Sequence, residues 1–304
     1  MAVIKFKDAA GNWQTLPSAG PAGKSAYELA VSQGYTGTLD EWLATLHGGN
    51  DNLLINGYFR APVNQRGITN NWTVGQYGLD RWLLVNGTCI VSSGGITLNG
   101  ALAQRMETLG ATWPLNGRVM TVSIMLADGT IQSGQIVPSG TGAVAAQLGD
   151  VVVGMHNEAQ SWKVLTLNPN GAANIAAVKL ELGTVSTLAQ DPPVDYGAEL
   201  LRCLRYALAY DTIERVRACV CSANYIDFHV ATPVPLRIVP SIEQNTMKII
   251  PLNGGTAVDG FAFSILGRTA SYLRVRATKT AHGLTDAVLE LASVGTRTVF
   301  TADL

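Results

Sequence analysis

The sequence predicts a mainly β protein: a short N-terminal hairpin and helices, then a jelly-roll-like β-sandwich, then a second β-rich unit opened by one helix. Three observations carry this. Charged residues are only 14% of the 304 while glycines number 32, so turns are frequent and the surface is drawn from small polar residues. From about Asn52 onward, short apolar runs alternate with Gly, Asn and Ser clusters, the pattern of strands joined by tight turns. Two helix-start signals stand before that point.

Residues 1–20 read as a β-hairpin. Val3-Ile4-Lys5-Phe6-Lys7 alternates, Ala10-Gly11-Asn12 turns, and Trp13-Gln14-Thr15-Leu16 returns. A lone hairpin is marginal, so it is expected to lean on another chain. Residues 21–50 read as two short helices. Ser25-Ala26-Tyr27-Glu28 and Thr38-Leu39-Asp40-Glu41 are capping boxes, and Gly34 and Gly37 supply the stop and the turn. Leu39, Trp42, Leu43 and Leu46 form one apolar stripe. Helices this short cannot bury a stripe alone, which predicts packing around a symmetry axis between copies.

Residues 51–190 read as the first β unit. Strands are expected over 83–91, 118–126, 150–155, 161–167 and 173–182, a pattern that fits a sandwich or jelly roll. Asp191-Pro192-Pro193 reads as a hinge. Residues 191–304 follow, with a helix carrying Leu200, Cys203, Leu204, Ala207 and Leu208 on one face. Strands are then expected over 217–231, 248–251, 261–266, 272–278, 287–291 and 296–301.

Several functions are argued against. Net charge is −1 with no basic stripe, so no nucleic-acid partner is expected. The opening MAVIKFKDAAGNW lacks a signal-peptide core, and no run of about 18 apolar residues occurs. Synthesis in a cytoplasm without membrane insertion is the expectation. Cys89, Cys203, Cys219 and Cys221 are expected as buried reduced thiols. His47, His156, His229 and His282 show no metal-ligand spacing, and no nucleophile elbow, P-loop or dinucleotide fingerprint occurs. Glycan cleavage needs two carboxylates on one sugar bond. Asp80, Asp128, Asp150, Glu158 and Glu181 are instead scattered through the first β unit. No enzymatic activity, cofactor or metal is expected.

Three aromatic residues are candidate ligand-binding groups. Trp72 and Tyr77 lie in a Gly/Asn-rich stretch where exposure is expected, and Trp113 precedes Pro114 in a loop. Their faces suit sugar C–H groups; ordinary packing is the competing reading. Asp80-Arg81-Trp82 reads instead as a buried ion pair under a ring. Trp162 reads as core. Arg202, Arg205, Arg215 and Arg217 form a basic cluster, for which a solvated or subunit-interface role outweighs binding of an acidic glycan.

Three ordered stretches resemble bacteriophage and prophage tail-fibre proteins. The first is Gly23-Lys24-Ser25-Ala26-Tyr27-Glu28-Leu29-Ala30, then Gly34-Tyr35-Thr36-Gly37-Thr38 and Glu41-Trp42-Leu43. Gly20-Pro21-Ala22-Gly23 is all that is similar to the collagen-like triplets common beside it. The second is Asn52-Leu53-Leu54-Ile55-Asn56-Gly57-Tyr58-Phe59, Asn64-Gln65-Arg66-Gly67 and Asp80-Arg81-Trp82, which resembles the opening of a jelly-roll, carbohydrate-binding-like domain. The third is Val178 to Gly183, then Pro193 to Leu200 and Cys203-Leu204-Arg205-Tyr206, similar to the junction that opens a C-terminal fibre domain. Thr232-Pro233-Val234-Pro235-Leu236-Arg237 also fits that domain. Lys179 and Leu204 stand where the family pattern commonly has Gln. The resemblance implies a virion appendage, a homotrimer that recognises a host-surface glycan or protein and docks on other virion proteins through its N-terminal segment. The alternative is a decoration protein such as a head fibre or baseplate adaptor.

Overall fold

The computed structural model describes residues 5–7, 13–15, 25–34, 36–39, 42, 51–107, 113–158, 162–210, 218–244, 247–251, 258–284, 289–293 and 297–303. It is mainly β, 49% strand, and falls into two compact units, Met1–Gly49 and Asn50–Leu304.

In the first unit, β1 (Lys5–Lys7) and β2 (Trp13–Thr15) pair antiparallel with Phe6 opposite Gln14. Helix α1 (Ala26–Ser32) starts on the expected capping box: Ser25 Oγ accepts from the Glu28 amide, and a Glu28 carboxylate oxygen accepts from the Ser25 amide at 2.7 Å. Helix α1 buries no residue, and Leu29, Val31 and Leu39 are exposed. Tyr27 packs on Trp42 with ring centroids 5.9 Å apart and donates to the Gly37 carbonyl. Most of the second expected helix lies outside the described residues.

The second unit begins with a nearly closed antiparallel sheet. Its strands are β3 (Tyr77–Leu79), β4 (Trp82–Ser92), β5 (Gly95–Glu107), β6 (Met120–Leu126), β7 (Ile131–Ile136), β8 (Val144–Leu148), β9 (Val151–Glu158), β10 (Trp162–Pro169) and β11 (Ala172–Leu182). The order is β7-β6-β11-β5-β10-β9-β8, with β4 on the other edge of β5. Strand β5 changes partner along its length: residues 96–99 pair with β11 and 102–107 with β10. That switch lets one strand serve two faces, and β7 then comes back against β8. Gly87 and Gly100 face each other across β4 and β5 and let the two backbones come close. A Cβ on Gly87 would lie 2.0 Å from the Asn99 carbonyl oxygen, and one on Gly100 2.3 Å from that of Asn86.

Alternation drives the core. Trp82, Leu84, Leu98, Leu102, Val122 and Leu180 point inward with 0% exposure. The opposite face of β6 and β11 is polar and is covered by residues 183–191. There Thr121 Oγ1 donates to the Gly183 carbonyl, and Glu181 accepts from the Thr187 amide and hydroxyl. Lys179 is fully buried and bound to Thr187 and Asp191. The expected hinge residue Asp191 is thus tied back to the sheet.

Helix α2 (Tyr196–Leu204) follows, capped by Asp195, whose carboxylate accepts from the Gly197 and Ala198 amides. The expectation that it runs through Leu208 is corrected: residues 207–210 form β12 (Ala207–Tyr210), paired with the last strand. The expected long strand from Arg217 is a hairpin of β13 (Ala218–Ser222) and β14 (Tyr225–Ala231). The rest comprises β15 (Ser241–Gln244), β16 (Met247–Pro251), β17 (Ala262–Arg268), β18 (Tyr272–Thr278), β19 (Leu289–Ser293) and β20 (Thr298–Thr301). They form sheets β12-β20-β15, β13-β14-β18-β17 and β16-β19 around a second core that includes Leu204, Leu208, Phe228, Val275 and Phe300. Cys89 and Cys203 are buried free thiols; the side chains of Cys219 and Cys221 lie outside the described residues.

Candidate functional site

The two cores of the second unit meet at a buried polar joint. Asn56, in a left-handed conformation (φ 59°), donates through its side-chain amide to the carbonyls of Val63 and Asp80 and accepts from the Val63 amide. Trp82 Nε1 donates to the Asn56 carbonyl at 2.8 Å, and the Asn56 amide donates to Glu199 of α2. Gln65 grips β12 twice, donating to the Ala207 carbonyl and accepting from the Ala209 amide.

Charges complete the joint. Arg66 Nη1 lies 2.8 Å from Asp80, and its other nitrogens reach Glu243 at 2.9 Å and Asp303 at 3.4 Å. Arg81 binds Asp303 and the Arg105 carbonyl, with its guanidinium carbon 3.6 Å from the Tyr206 ring centroid. Asp80 and Arg81 do form buried ion pairs beside Trp82. Their partners, however, are Arg66 and Asp303 rather than each other. The two residues make the turn between β3 and β4, and Arg81 has φ 72°. That strained conformation persists because three contacts fix its side chain. Burial pushes the Asp80 carboxyl up to about 6, against the opposing pull of the Arg66 guanidinium.

Beside the joint opens a cleft of about 240 Å³. Residues 53–55, β5, α2 and the β3–β4 turn all contribute to its lining. Leu53, Ile55 and Leu115 give it an apolar wall, joined by Trp113 and Tyr206. Arg81, Arg105, Arg202 and Glu107 give it charge. Arg105 is held by Glu158 through Nε and Nη2 and donates to the Tyr77 hydroxyl through Nη1. Arg202 binds Glu199 and the carbonyls of Asn52 and Leu54. Glu107 is held by Arg205 and Arg237, each at 3.1 Å. Arg237 also lies 4.0 Å from the Trp162 ring centroid.

The exposure expected of three aromatic residues is corrected. Trp72 is 8% exposed, and its ring occupies the space where a Gly78 side chain would stand: a Cβ there would be 2.0 Å from the indole. Tyr77 is in β3, buried beneath Arg66 and bonded to Arg105. Trp113 is 9% exposed with Lys163 over its ring, yet it lines the cleft. Trp162, expected in the core, is half-buried under Arg237. Of the expected basic cluster, Arg205 joins Arg237 on Glu107 and Arg202 pairs with Glu199; Arg215 and Arg217 lie outside the described residues. Sequence reading missed Arg105 and Glu107 because they lie on a strand it did not predict. Among the described residues, no group of three His, Cys, Asp or Glu is placed to hold a metal ion, and no helix is long and apolar enough to cross a membrane.

No protein-family model, curated protein or solved structure matches the chain.

Proposed function

We propose that this chain is a bacteriophage virion attachment protein, a tail-fibre or receptor-binding subunit that recognises a host-surface glycan without cleaving it. One observation carries the reading. The second and third of the stretches that resemble tail fibres converge on a single physical joint. Asn52 Oδ1 accepts from the Leu180 amide, Trp82 donates to Asn56, Arg66 pairs with Asp80, and Arg81 stacks on Tyr206. An ordered set of motifs that codes one interlocking contact is harder to meet by chance than scattered likenesses.

In this reading the nearly closed sheet is a jelly-roll, carbohydrate-binding-like domain and residues 191–304 form the fibre domain. Helix α1, which buries nothing within its own unit, trimerises the chain and docks on other virion proteins. Three weak sites on one particle then gain avidity without new contacts. Among the described residues, the single carboxylate lining the cleft is Glu107; two arginines occupy it, which does not suit glycoside hydrolysis.

The test uses labelled full-length chain on host bacteria. The expected result is saturable binding that periodate treatment of the cell surface abolishes, no release of oligosaccharide, and a sedimentation mass of three times 32.1 kDa. Binding that survives periodate treatment, or oligosaccharide released from the surface, would overturn glycan recognition without cleavage. A stable monomer would favour a decoration or adaptor protein.

A further inference from the structure

We infer that the cleft between β5, α2 and the β3–β4 turn binds one anionic sugar unit, carboxylated or phosphorylated, through Arg105 and Arg202. This rests on the attachment reading and names the ligand class of that site.

The argument is one of donors and acceptors. Three arginine residues line the cleft, from three separate elements: Arg81, Arg105 and Arg202. A guanidinium has five N–H donors. Among the described residues, Arg105 uses three of its five, on Glu158 and Tyr77, and Arg202 likewise uses three, on Glu199 and two carbonyls. Both side chains remain partly exposed, at 21% and 42%. Arg81 lies buried in the joint, donates there to Asp303 and the Arg105 carbonyl, and forms the cleft floor.

Among the described residues, acceptors are scarce by comparison. Glu107 already accepts from Arg205 and Arg237, and the Gln104 amide exchanges both its hydrogen bonds with the Ile55 backbone. A neutral sugar brings a donor with every hydroxyl and finds almost nothing to receive it. A carboxylate or phosphate brings acceptors alone, and a guanidinium can bind it through paired hydrogen bonds. Each arginine is also balanced by a carboxylate of its own, Glu158 or Glu199, so directed N–H groups rather than excess charge select the ligand.

The rest of the lining fits a sugar ring. Leu53, Ile55, Leu115, Trp113 and Tyr206 supply an apolar wall for a C–H face. The volume, about 240 Å³, lies below the usual range for drug-sized ligands and suits one ring rather than a chain of them.

The test measures binding of galacturonate, N-acetylneuraminate, galactose 6-phosphate, galactose, acetate and inorganic phosphate to the full chain by ligand-observed NMR. Binding by at least one acidic sugar, with galactose and the free anions at least about tenfold weaker, is the expected result. The pattern among the first three probes separates a carboxylate from a phosphate preference. Arg202→Gln should weaken that binding about tenfold or more. Leu115→Trp, which fills the cleft and leaves every guanidinium in place, should abolish it, with circular dichroism confirming that both variants fold. Equal binding of galactose, equal binding of the free anions, or no binding of any acidic sugar overturns the inference. Cell binding measured on the same preparation separates the two claims. Cells bound without any acidic sugar bound means that the cleft assignment fails and attachment stands. Acidic sugar bound without cells bound means the reverse.

Discussion

The core of the nearly closed sheet and the joint beside it are buried to the same depth by opposite means. In the first, Leu84, Leu98, Leu102, Val122 and Leu180 fill space without directional demands. In the second, Arg66, Arg81, Asp80 and Asp303 are at most 4% exposed and each depends on a particular partner. An apolar core tolerates exchange among side chains of similar volume. A buried charge tolerates no loss of its partner. The core therefore makes a lobe, and the joint fixes how one lobe sits on the other. The cleft borders the joint and borrows Arg81 and Tyr206 from it, so its shape depends on that fixed relation.

The largest expected effect comes from breaking the joint. Arg66→Ala leaves Asp80, Asp303 and Glu243 short of a shared cation. A loss of about 3–5 kcal/mol in urea unfolding is expected. The single cooperative transition of Asn50–Leu304 should also split into two, one for each core. Leu98→Ala, a truncation inside the first core, should cost about 2–5 kcal/mol without splitting the transition. A loss below about 1 kcal/mol for Arg66→Ala would show that the joint does not couple the lobes.

A change of pH sharpens the same contrast, because apolar residues do not titrate. The Asp80 carboxyl, raised to about 6 by burial, holds its proton more tightly in the folded chain than in the unfolded one, where its ordinary value is near 3.8. Its contribution to stability is therefore full below the ordinary value and is lost as pH rises through about 6. The amount is on the order of 2–3 kcal/mol. Asp227 behaves oppositely. Hydrogen bonds from Arg276 and Arg274 hold it near 2, so its contribution is present above the ordinary value and lost only in stronger acid. Between pH 5 and 7.5, wild type should lose stability as pH rises, and Asp80→Asn should lose clearly less. Parallel unfolding curves for the two chains across that range would remove Asp80 as the cause.

The apolar half of the architecture was far more legible in the sequence than the joint. Strands β4, β6, β9, β10 and β11 announce themselves by apolar runs between turn residues, and the Ser25–Glu28 cap is a local signal that the structure forms. Strand β5 does not announce itself. Gly95 and Gly100 break its run, and Ala101 to Glu107 are largely helix formers; pairing on both edges imposes the strand. Ala207 and Leu208 keep a helical spacing, but β20, some 90 residues later, captures them as β12. The joint is legible in kind only. Sequence places Asp80 beside Arg81, whereas the turn sends each to a partner far along the chain.

The smallest expected effect concerns Trp72, where the two kinds of burial touch. Its indole is part of the apolar core, yet its Nε1 is buried and has no partner among the described residues. It reaches that place only because Gly78 has no side chain. Gly78→Ala puts a methyl group where the ring lies, and the ring must move. Overpacking of this kind costs about 1–3 kcal/mol. The displaced indole should redden its fluorescence and become open to iodide quenching, while Tyr77, held by Arg105, keeps its place. Trp72→Phe with Gly78→Ala should recover part of the loss, since a smaller ring without an N–H removes both the clash and the unpaired donor. If the double variant is no more stable than Gly78→Ala alone, close packing of Trp72 on Gly78 is not what the glycine provides.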